Sequence, residues 1–282
     1  MKLRSLLNGA FPKTMTKLIY YKNFHKKINM KNPNGINEKL QVLKLKNYYE
    51  NDIITECVDK YRVRNYLEQL GLKNLLPELY GCYDTVSDFR LNWNSFPKKF
   101  VIKCNHGCGY NILINDKSKY NLNDICNTLT DWMNSDYWKK YCEPQYKDIK
   151  KKIIVEEYLG DDIQTYKFYC FNGIPKVSYV SSNGENGEKD LYLDYYDINW
   201  NWLPITLGNH LHSKTKAQKP LNYENMVNLA KILSKDFPFV RVDLYNIDGN
   251  IYFSELTFIP TGGMMKLSPS STIDEWGNWL DI

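Results

Sequence analysis

Val240-Arg241-Val242-Asp243-Leu244-Tyr245, a turn at Asp248-Gly249, and Ile251-Tyr252-Phe253-Ser254-Glu255-Leu256-Thr257 form the stretch around which the chain is organised. Two β-rich runs separated by Asp-Gly read as an antiparallel hairpin. Side chains alternate faces along a strand, so Val240, Val242 and Leu244 share one face with Tyr252, Ser254 and Leu256, while Arg241, Asp243, Glu255 and Thr257 share the other. A three-residue loop, Asp248-Gly249-Asn250, sets Tyr245 opposite Phe253 and Asp243 opposite Glu255, with Cβ atoms roughly 4.5–5.5 Å apart. A two-residue loop would break that pairing. Like charges directly opposite destabilise a sheet, so the pair makes sense if a cation sits between the two acids. Carboxylates with positions left open for phosphate oxygens suit magnesium. Two solvated acids on an exposed face are the other reading. In the absence of metal, removing either acid is expected to relieve repulsion and leave the fold intact.

The chain has 282 residues, 43% of them hydrophobic and 15% aromatic, which predicts a packed core and argues against disorder. No apolar run is long enough to span a bilayer, and no signal-peptide pattern is present near the N-terminus, so a cytoplasmic location is expected. Seven cysteines without a regular framework read as reduced thiols. Cys104, His106 and Cys108 lack the fourth ligand of a zinc site. The net charge of +5 is uneven. Lys2, Arg4, Lys13, Lys17, Lys22, Lys26, Lys27 and Lys31 all fall within residues 1–37, where there is no acid, leaving 29 basic against 32 acidic residues in the remainder. Such an arm suits peripheral contact with anionic lipid, at an inner membrane face, or with an anionic polymer. A solvated basic face, with Met15, Leu18 and Ile19 packed inward, is the alternative. Nothing interleaves these lysines with a nucleic-acid module, and no nucleic-acid partner is expected.

Along the chain, the first hundred residues read as helical. Asn37 is placed to cap a helix to about Tyr49, and Asp59 to cap another carrying Val63, Tyr66, Leu67 and Leu70 before Gly71. Lys60 falls in the first turn of the latter, where it is either a phosphate contact or a surface lysine. Residues 100–114 read as strand, glycine-containing turn and strand, with backbone N–H groups from Asn105 to Gly109 able to form an anion nest and Lys103 able to reach the same anion. An ordinary hairpin fits the same residues. A helix over 122–134, a buried strand over 153–159, a hairpin turning at Asn172-Gly173, a mobile loop over 181–190 and a helix carrying Met226, Leu229, Ala230 and Leu233 complete the pattern. No linker or repeat is present, so the domains are expected to interlock.

Taken in order, Asp59-Lys60-Tyr61-Arg62-Val63-Arg64, Val101-Ile102-Lys103-Cys104-Asn105-His106-Gly107, Glu156-Glu157-Tyr158-Leu159, Tyr166-Lys167-Phe168-Tyr169-Cys170-Phe171-Asn172-Gly173, Arg241-Val242-Asp243-Leu244-Tyr245 and Glu255-Leu256-Thr257-Phe258 resemble the ATP-grasp family. The match is to its TupA-like branch, associated with teichuronopeptide and surface-polysaccharide assembly, from about residue 37 onward. The resemblance implies an α+β, ATP-grasp fold: two α+β subdomains with antiparallel sheets gripping ATP. A basic helical region (1–58) would precede a catalytic domain (59–282) divided at about 98–159 and 160–282.

It also implies roles. Lys60 and Lys103 would hold phosphates, with Asn105, His106, Gly107 and Gly109 closing over them. Glu156, Glu157, Tyr158 and Leu159 would meet adenine through the backbone, and Asp161 or Asp162 the ribose. Asp243, Glu255 and Thr257 would hold Mg2+, and Arg241, Lys103 and Lys167 would be the catalytic cations. His106 is a candidate base for the amine, or a structural turn histidine. Thr257 stands where many members have Asn, and Thr165 where the branch has an acid. The implied reaction is carboxylate activation: an acyl phosphate and ADP form, and an amine displaces phosphate. Positioning and electrostatics dominate such phosphoryl transfer, so no nucleophilic side chain is needed. The expected activity joins an amine to a saccharide carboxylate, a uronic acid on a nucleotide-linked, lipid-linked or polymeric acceptor of a capsule or cell wall. A glycosyltransferase using Asp190, Asp194 and Asp197, a phosphotransferase on the same fold, and a non-catalytic polymer-binding protein are the rivals.

Overall fold

The computed structural model describes residues 2–161, 163–184 and 187–282. The chain forms two compact units, one made of Met1–Leu6 with Glu50–Asp161, the other of Leu7–Tyr49 with Asp162–Ile282. The division differs from one at 98–159 and 160–282: residues 7–49 belong to the second unit, and the first begins near residue 50. The chain opens with α1 (Lys2–Ala10), α2 (Pro12–Phe24) and α3 (Gly35–Val42), the last continued by a π-helical turn over Leu43–Asn47. Asn37 does not cap this helix. It lies buried within α3, its amide bonded to both the N–H and the carbonyl of Met265, and the N-cap position belongs to Asn34. No described helix is long and apolar enough to cross a membrane.

The first unit continues with α4 (Asp52–Val58), α5 (Val63–Gln69), β1 (Leu79–Tyr83), α6 (Val86–Leu91), β2 (Phe100–Cys104), β3 (Asn111–Ile114), α7 (Leu122–Asn134), α8 (Tyr137–Tyr141) and β4 (Ile153–Glu157). Its strands form an antiparallel sheet in the order β1-β4-β2-β3. Strand β1 interrupts the expected all-helical opening, because Leu79-Tyr80-Gly81-Cys82-Tyr83 is short, carries a glycine and shows no alternation. One sheet face places Phe100, Ile102, Ile153 and Val155 against Phe89, Ile125 and Leu129. The period-2 pattern of β2 and β4 and the helical pattern of α7 thus meet in one core.

The second unit adds β5 (Thr165–Phe171), β6 (Ile174–Gly184), β7 (Gly187–Asp197), β8 (Trp202–Leu203), β9 (Thr206–Leu207), α9 (Tyr223–Ser234), β10 (Phe239–Ile247), β11 (Asn250–Thr257), β12 (Leu267–Ser268) and α10 (Ser271–Asn278). Six strands make an antiparallel sheet ordered β11-β10-β5-β6-β7-β8, and β12 pairs with β9. The described part of 181–190 is strand, not loop: β6 and β7 run on as a hairpin arm, because Ser181 and Ser182 keep their ladder partners Leu193 and Tyr192. Met226, Ala230 and Leu233 on α9 are buried against the sheet. Helix α3 packs on α10, and Tyr48 hydroxyl donates to the Phe239 carbonyl at 2.6 Å, tying residues 7–49 into this core.

The hairpin β10–β11 differs from the expected register in an instructive way. Its loop has two residues, Asp248 and Gly249, both at positive φ, with Ile247 opposite Asn250 and Tyr245 opposite Tyr252. Left there, the ladder would move Glu255 out of line with Asp243. A β-bulge at Ser254 inserts one extra residue, and Asp243 is again directly opposite Glu255. The bulge also exchanges faces, so Phe253 rather than Tyr252 or Ser254 joins Leu244 and Leu256 in the core.

Candidate active site

In the first unit, two buried carboxylates, Asp59 and Glu156, organise the expected phosphate residues. Asp59, 1% exposed, accepts from the N–H groups of Tyr61 (2.8 Å) and Arg62 (3.2 Å), shaping the turn that carries Lys60 into α5. Burial raises the Asp59 pKa, and these hydrogen bonds, with the one from Asn105, act to lower it. The Lys60 ammonium donates to the Gly107 carbonyl of the β2–β3 turn. On the sheet face away from the core, Glu156 Oε2 accepts from Lys103 Nζ at 2.7 Å and Oε1 from Arg64 Nη1 at 2.9 Å. Arg64 and Lys103 share one buried carboxylate, which leaves one positive charge over at that point of the sheet. The group is therefore suited to an anion. Arg64 carries no signal of its own in the sequence; the pointer to it is an acid in the apolar strand Ile153–Glu157, which needs a cationic partner when buried.

The turn Asn105–Gly109 is built from inside. Asn105 is fully buried, its side chain bonded to Asp59 (2.8 Å), the Lys150 carbonyl (3.0 Å) and the Lys152 N–H (2.7 Å), so it fixes the turn's shape. His106 is 2% exposed and donates from Nε2 to the Trp132 carbonyl at 3.0 Å. Burial lowers its pKa to about 4, which keeps the ring neutral near pH 7. At Gly107 a Cβ would lie 2.7 Å from the Tyr137 ring, whereas Gly109 is required by a φ of +74°. Glu157 pairs with the Glu78 backbone through its own N–H (2.8 Å) and its carboxylate (3.2 Å). Tyr158 and Leu159 follow the last ladder residue of β4, and the Tyr158 hydroxyl donates to Asp161. Asp162 lies outside the described residues.

In the second unit, Arg241, Lys167, Asp243, Glu255 and Thr257 share one sheet face. Asp243 has no exposed surface and stands opposite Glu255 on one neighbouring strand and Lys167 on the other. Arg241 grips Asp243 with two bonds (Nε–Oδ1 2.7 Å, Nη2–Oδ2 2.6 Å) and reaches Glu255 (3.2 Å) and the Thr257 hydroxyl (3.0 Å). Lys167 Nζ adds 2.8 Å to Asp243 Oδ2. Burial opposes the charge on Lys167, but Asp243 and its neighbours raise the pKa above the ordinary value; Arg241 is raised likewise. Two acids are thus balanced by two bases, and the repulsion expected between Asp243 and Glu255 is already relieved by protein cations. The donor set is of the hard oxygen type that magnesium takes, two carboxylates and a hydroxyl on one face, while both Asp243 oxygens are bonded to Arg241 and Lys167 here. Among the described residues, no three His, Cys, Asp or Glu side chains converge as a metal site.

Of the acids of the nucleotide-sugar reading, the two whose side chains are described, Asp194 and Asp197, do not converge. Asp194 is buried under the Ser213 hydroxyl and Lys216 (2.7 Å), while Asp197 accepts from Asn199 and Asn201. Three positions apart on β7, they point to opposite faces. Asp190 lies where no side chain is described.

Residues 38–280 match the TupA-like ATP-grasp family. The chain belongs to that family. The α+β architecture with a helical N-terminal part agrees with the fold that membership implies. Solved structures that resemble this TupA-like chain include the D-alanine–D-alanine ligase from Bacillus anthracis (18% identity, 74% of this chain and 58% of that chain, TM-score 0.44). Others are the D-alanine–D-alanine ligase from Helicobacter pylori (15%, 88% and 71%, TM-score 0.45) and the L-amino acid ligase from Bacillus licheniformis (13%, 89% and 56%, TM-score 0.49). The TupA-like chain thus spans just over half the length of the B. anthracis ligase. No curated protein matches it.

Proposed function

We propose that this TupA-like protein is an ATP- and Mg-dependent carboxylate–amine ligase whose carboxylate is a saccharide uronic acid of a surface polymer. The observation that carries the reading is the Asp243–Glu255 pair, held opposite on adjacent strands with Arg241 and Lys167 bonded into the same cluster and no nucleophilic side chain among them. Lys60, Lys103 and the turn from Asn105 to Gly109 engage the triphosphate, Lys60 and Lys103 by charge and Asn105 and Gly107 by fixing the turn. Backbone from Glu156 to Leu159 meets the adenine, and Asp161 or Asp162 the ribose. Asp243, Glu255 and Thr257 would hold Mg2+, which when bound supplies neutralisation of phosphate charge. An oxygen of the substrate carboxylate attacks the γ-phosphorus, ADP leaves, and the amine displaces phosphate from the acyl phosphate. Arg241 and Lys167, both kept charged, orient the anionic acyl phosphate. His106, neutral and turned toward Trp132, supports the turn.

Incubation with ATP, magnesium, uronic acids and amines tests this directly. Equal release of ADP and phosphate together with an amide product is expected. Transfer of phosphate to a sugar hydroxyl would identify a kinase on this fold. Thermal stabilisation by UDP-sugars but not by ATP or ADP would identify a transferase, and no nucleotide effect at all would leave a polymer-binding protein.

A further inference from the structure

The helix α1 is inside out. An amphipathic helix of a water-soluble protein turns its apolar stripe to the core. Here Leu3, Leu6 and Leu7 are 71%, 67% and 39% exposed, with Ala10 exposed beside them, while Asn8 is fully buried. At 3.6 residues per turn, positions 3, 6, 7 and 10 fall within an arc of roughly 100°, and position 8 lies away from it. Phe11, 60% exposed, extends this outward apolar surface into α2, where Leu18 and Tyr21 face out although Tyr20 is buried in the core. The expected inward packing of Met15, Leu18 and Ile19 is therefore overturned at Leu18, and Met15 and Ile19 are only half-buried. Arg4, Lys13, Lys17, Lys22, Lys26, Lys27 and Lys31 of the same segment are exposed.

We propose that α1 and α2 form an interfacial anchor for an anionic lipid surface. An outward apolar stripe and a set of cations without any acid over residues 1–37 are the two signals that a helix lying in a headgroup layer uses together. A second copy of the same arm is disfavoured by like charge. An anionic polysaccharide would satisfy the lysines but leave the leucines in water. Lipid satisfies both.

The test is sedimentation of the full chain with vesicles of phosphatidylcholine alone and of equimolar phosphatidylcholine and phosphatidylglycerol. The triple variants Leu3→Ser/Leu6→Ser/Leu7→Ser and Lys13→Gln/Lys17→Gln/Lys22→Gln are compared, with melting temperature as the folding control. Binding to the anionic vesicles should exceed that to phosphatidylcholine by about tenfold or more, fall with added salt, and drop about tenfold in each variant. Equal partition onto both vesicles, or binding unchanged in the serine variant, would overturn the proposal. So would a wild-type dimer that the serine variant converts to monomer, since a second copy would then be the occupant. Should a variant melt lower, the wild-type dependence on lipid charge and salt still decides.

Discussion

The Asp243 carboxylate is bonded at once to Arg241 (2.6 Å) and Lys167 (2.8 Å). With only the like-charged pair in view, Asp243→Ala should relieve repulsion. With Arg241 and Lys167 bonded to it, the same change strands two cations in a site where Asp243 itself has no exposed surface. A loss of roughly 3–5 kcal/mol in urea unfolding is expected. Glu255 is 33% exposed, and its Oε1 accepts from Arg241 Nη2 at 3.2 Å and from the Thr257 hydroxyl at 3.0 Å; at this exposure water screens the charge pair, so Glu255→Ala should cost about 1 kcal/mol, well below Asp243→Ala. Both variants should lose orders of magnitude in ATP turnover under the proposed reaction, and near-normal turnover in both would exclude the cluster from catalysis. His106 makes a separate, pH-dependent contribution. Its folded pKa, about 4, lies below the ordinary 6.5. Between those values the unfolded chain takes up a proton that the fold refuses, so stability is full above pH 6.5 and declines as pH falls toward 4, by about 3 kcal/mol at most. Asp59, raised by burial, works in the opposite direction in acid, gaining stability as pH falls through its folded pKa. Comparing urea unfolding of wild type and His106→Asn from pH 7 to 4.5 isolates the histidine, and parallel curves would refute its role.

At the scale of elements, the turn that carries Lys60's partner is set by space. Gly107→Ala would push a methyl into the Tyr137 ring at 2.7 Å, and overpacking of this kind costs about 1–3 kcal/mol. The melting temperature should fall, and the ATP-induced thermal shift should shrink with it; an unchanged melting temperature would mean that the ring moves aside freely. Much of this level was legible in the chain. Helix α7 and the hairpin at Asn172-Gly173 follow from local periodicity and turn chemistry alone, whereas the Asp243–Glu255 pairing follows in the sequence from a three-residue loop that the structure replaces with a two-residue loop and a bulge. The route to that pairing was not legible. Alternation fixes which residues share a face only while the ladder is regular, and a bulge at Ser254 has no local signature in Tyr252-Phe253-Ser254-Glu255. Cations bonded to acids from other strands, such as Arg64 on Glu156 and Lys167 on Asp243, were hidden for a related reason: a strand's own pattern does not name its neighbour.

For the molecule as a whole, the two units differ in how the chain builds them. Apart from residues 1–6, the first is one continuous run, Glu50–Asp161, with its core of Phe89, Phe100, Ile102, Ile125, Leu129 and Val155 wholly inside. Residues 50–161 expressed alone should therefore fold with a cooperative thermal transition by circular dichroism. Residues 162–282 alone should not, because α3 covers α10 and Tyr48 bonds Phe239 from outside that span. A cooperative transition in the second fragment would show that residues 7–49 are dispensable to its core. This interleaving is what the lack of a linker implied, though the sequence could not say which early residues pair with which late ones.

The contact of Gly35 with Gly277 gives that interleaving a schedule. A Cβ at Gly277 would lie 2.5 Å from the Gly35 Cα, so α3 and α10 meet backbone to backbone, with Trp276 fully buried beside them. During translation, the segment from Glu50 to Asp161 can close as soon as it clears the ribosome. Ile36, Leu40 and Leu43, all fully buried in the finished protein, have to wait for a helix made some 240 residues later. At about 5–20 residues per second that wait is roughly 12–48 s. The nascent chain therefore carries an uncovered apolar helix until α10 emerges, which makes the α3 segment a natural client for a ribosome-associated chaperone.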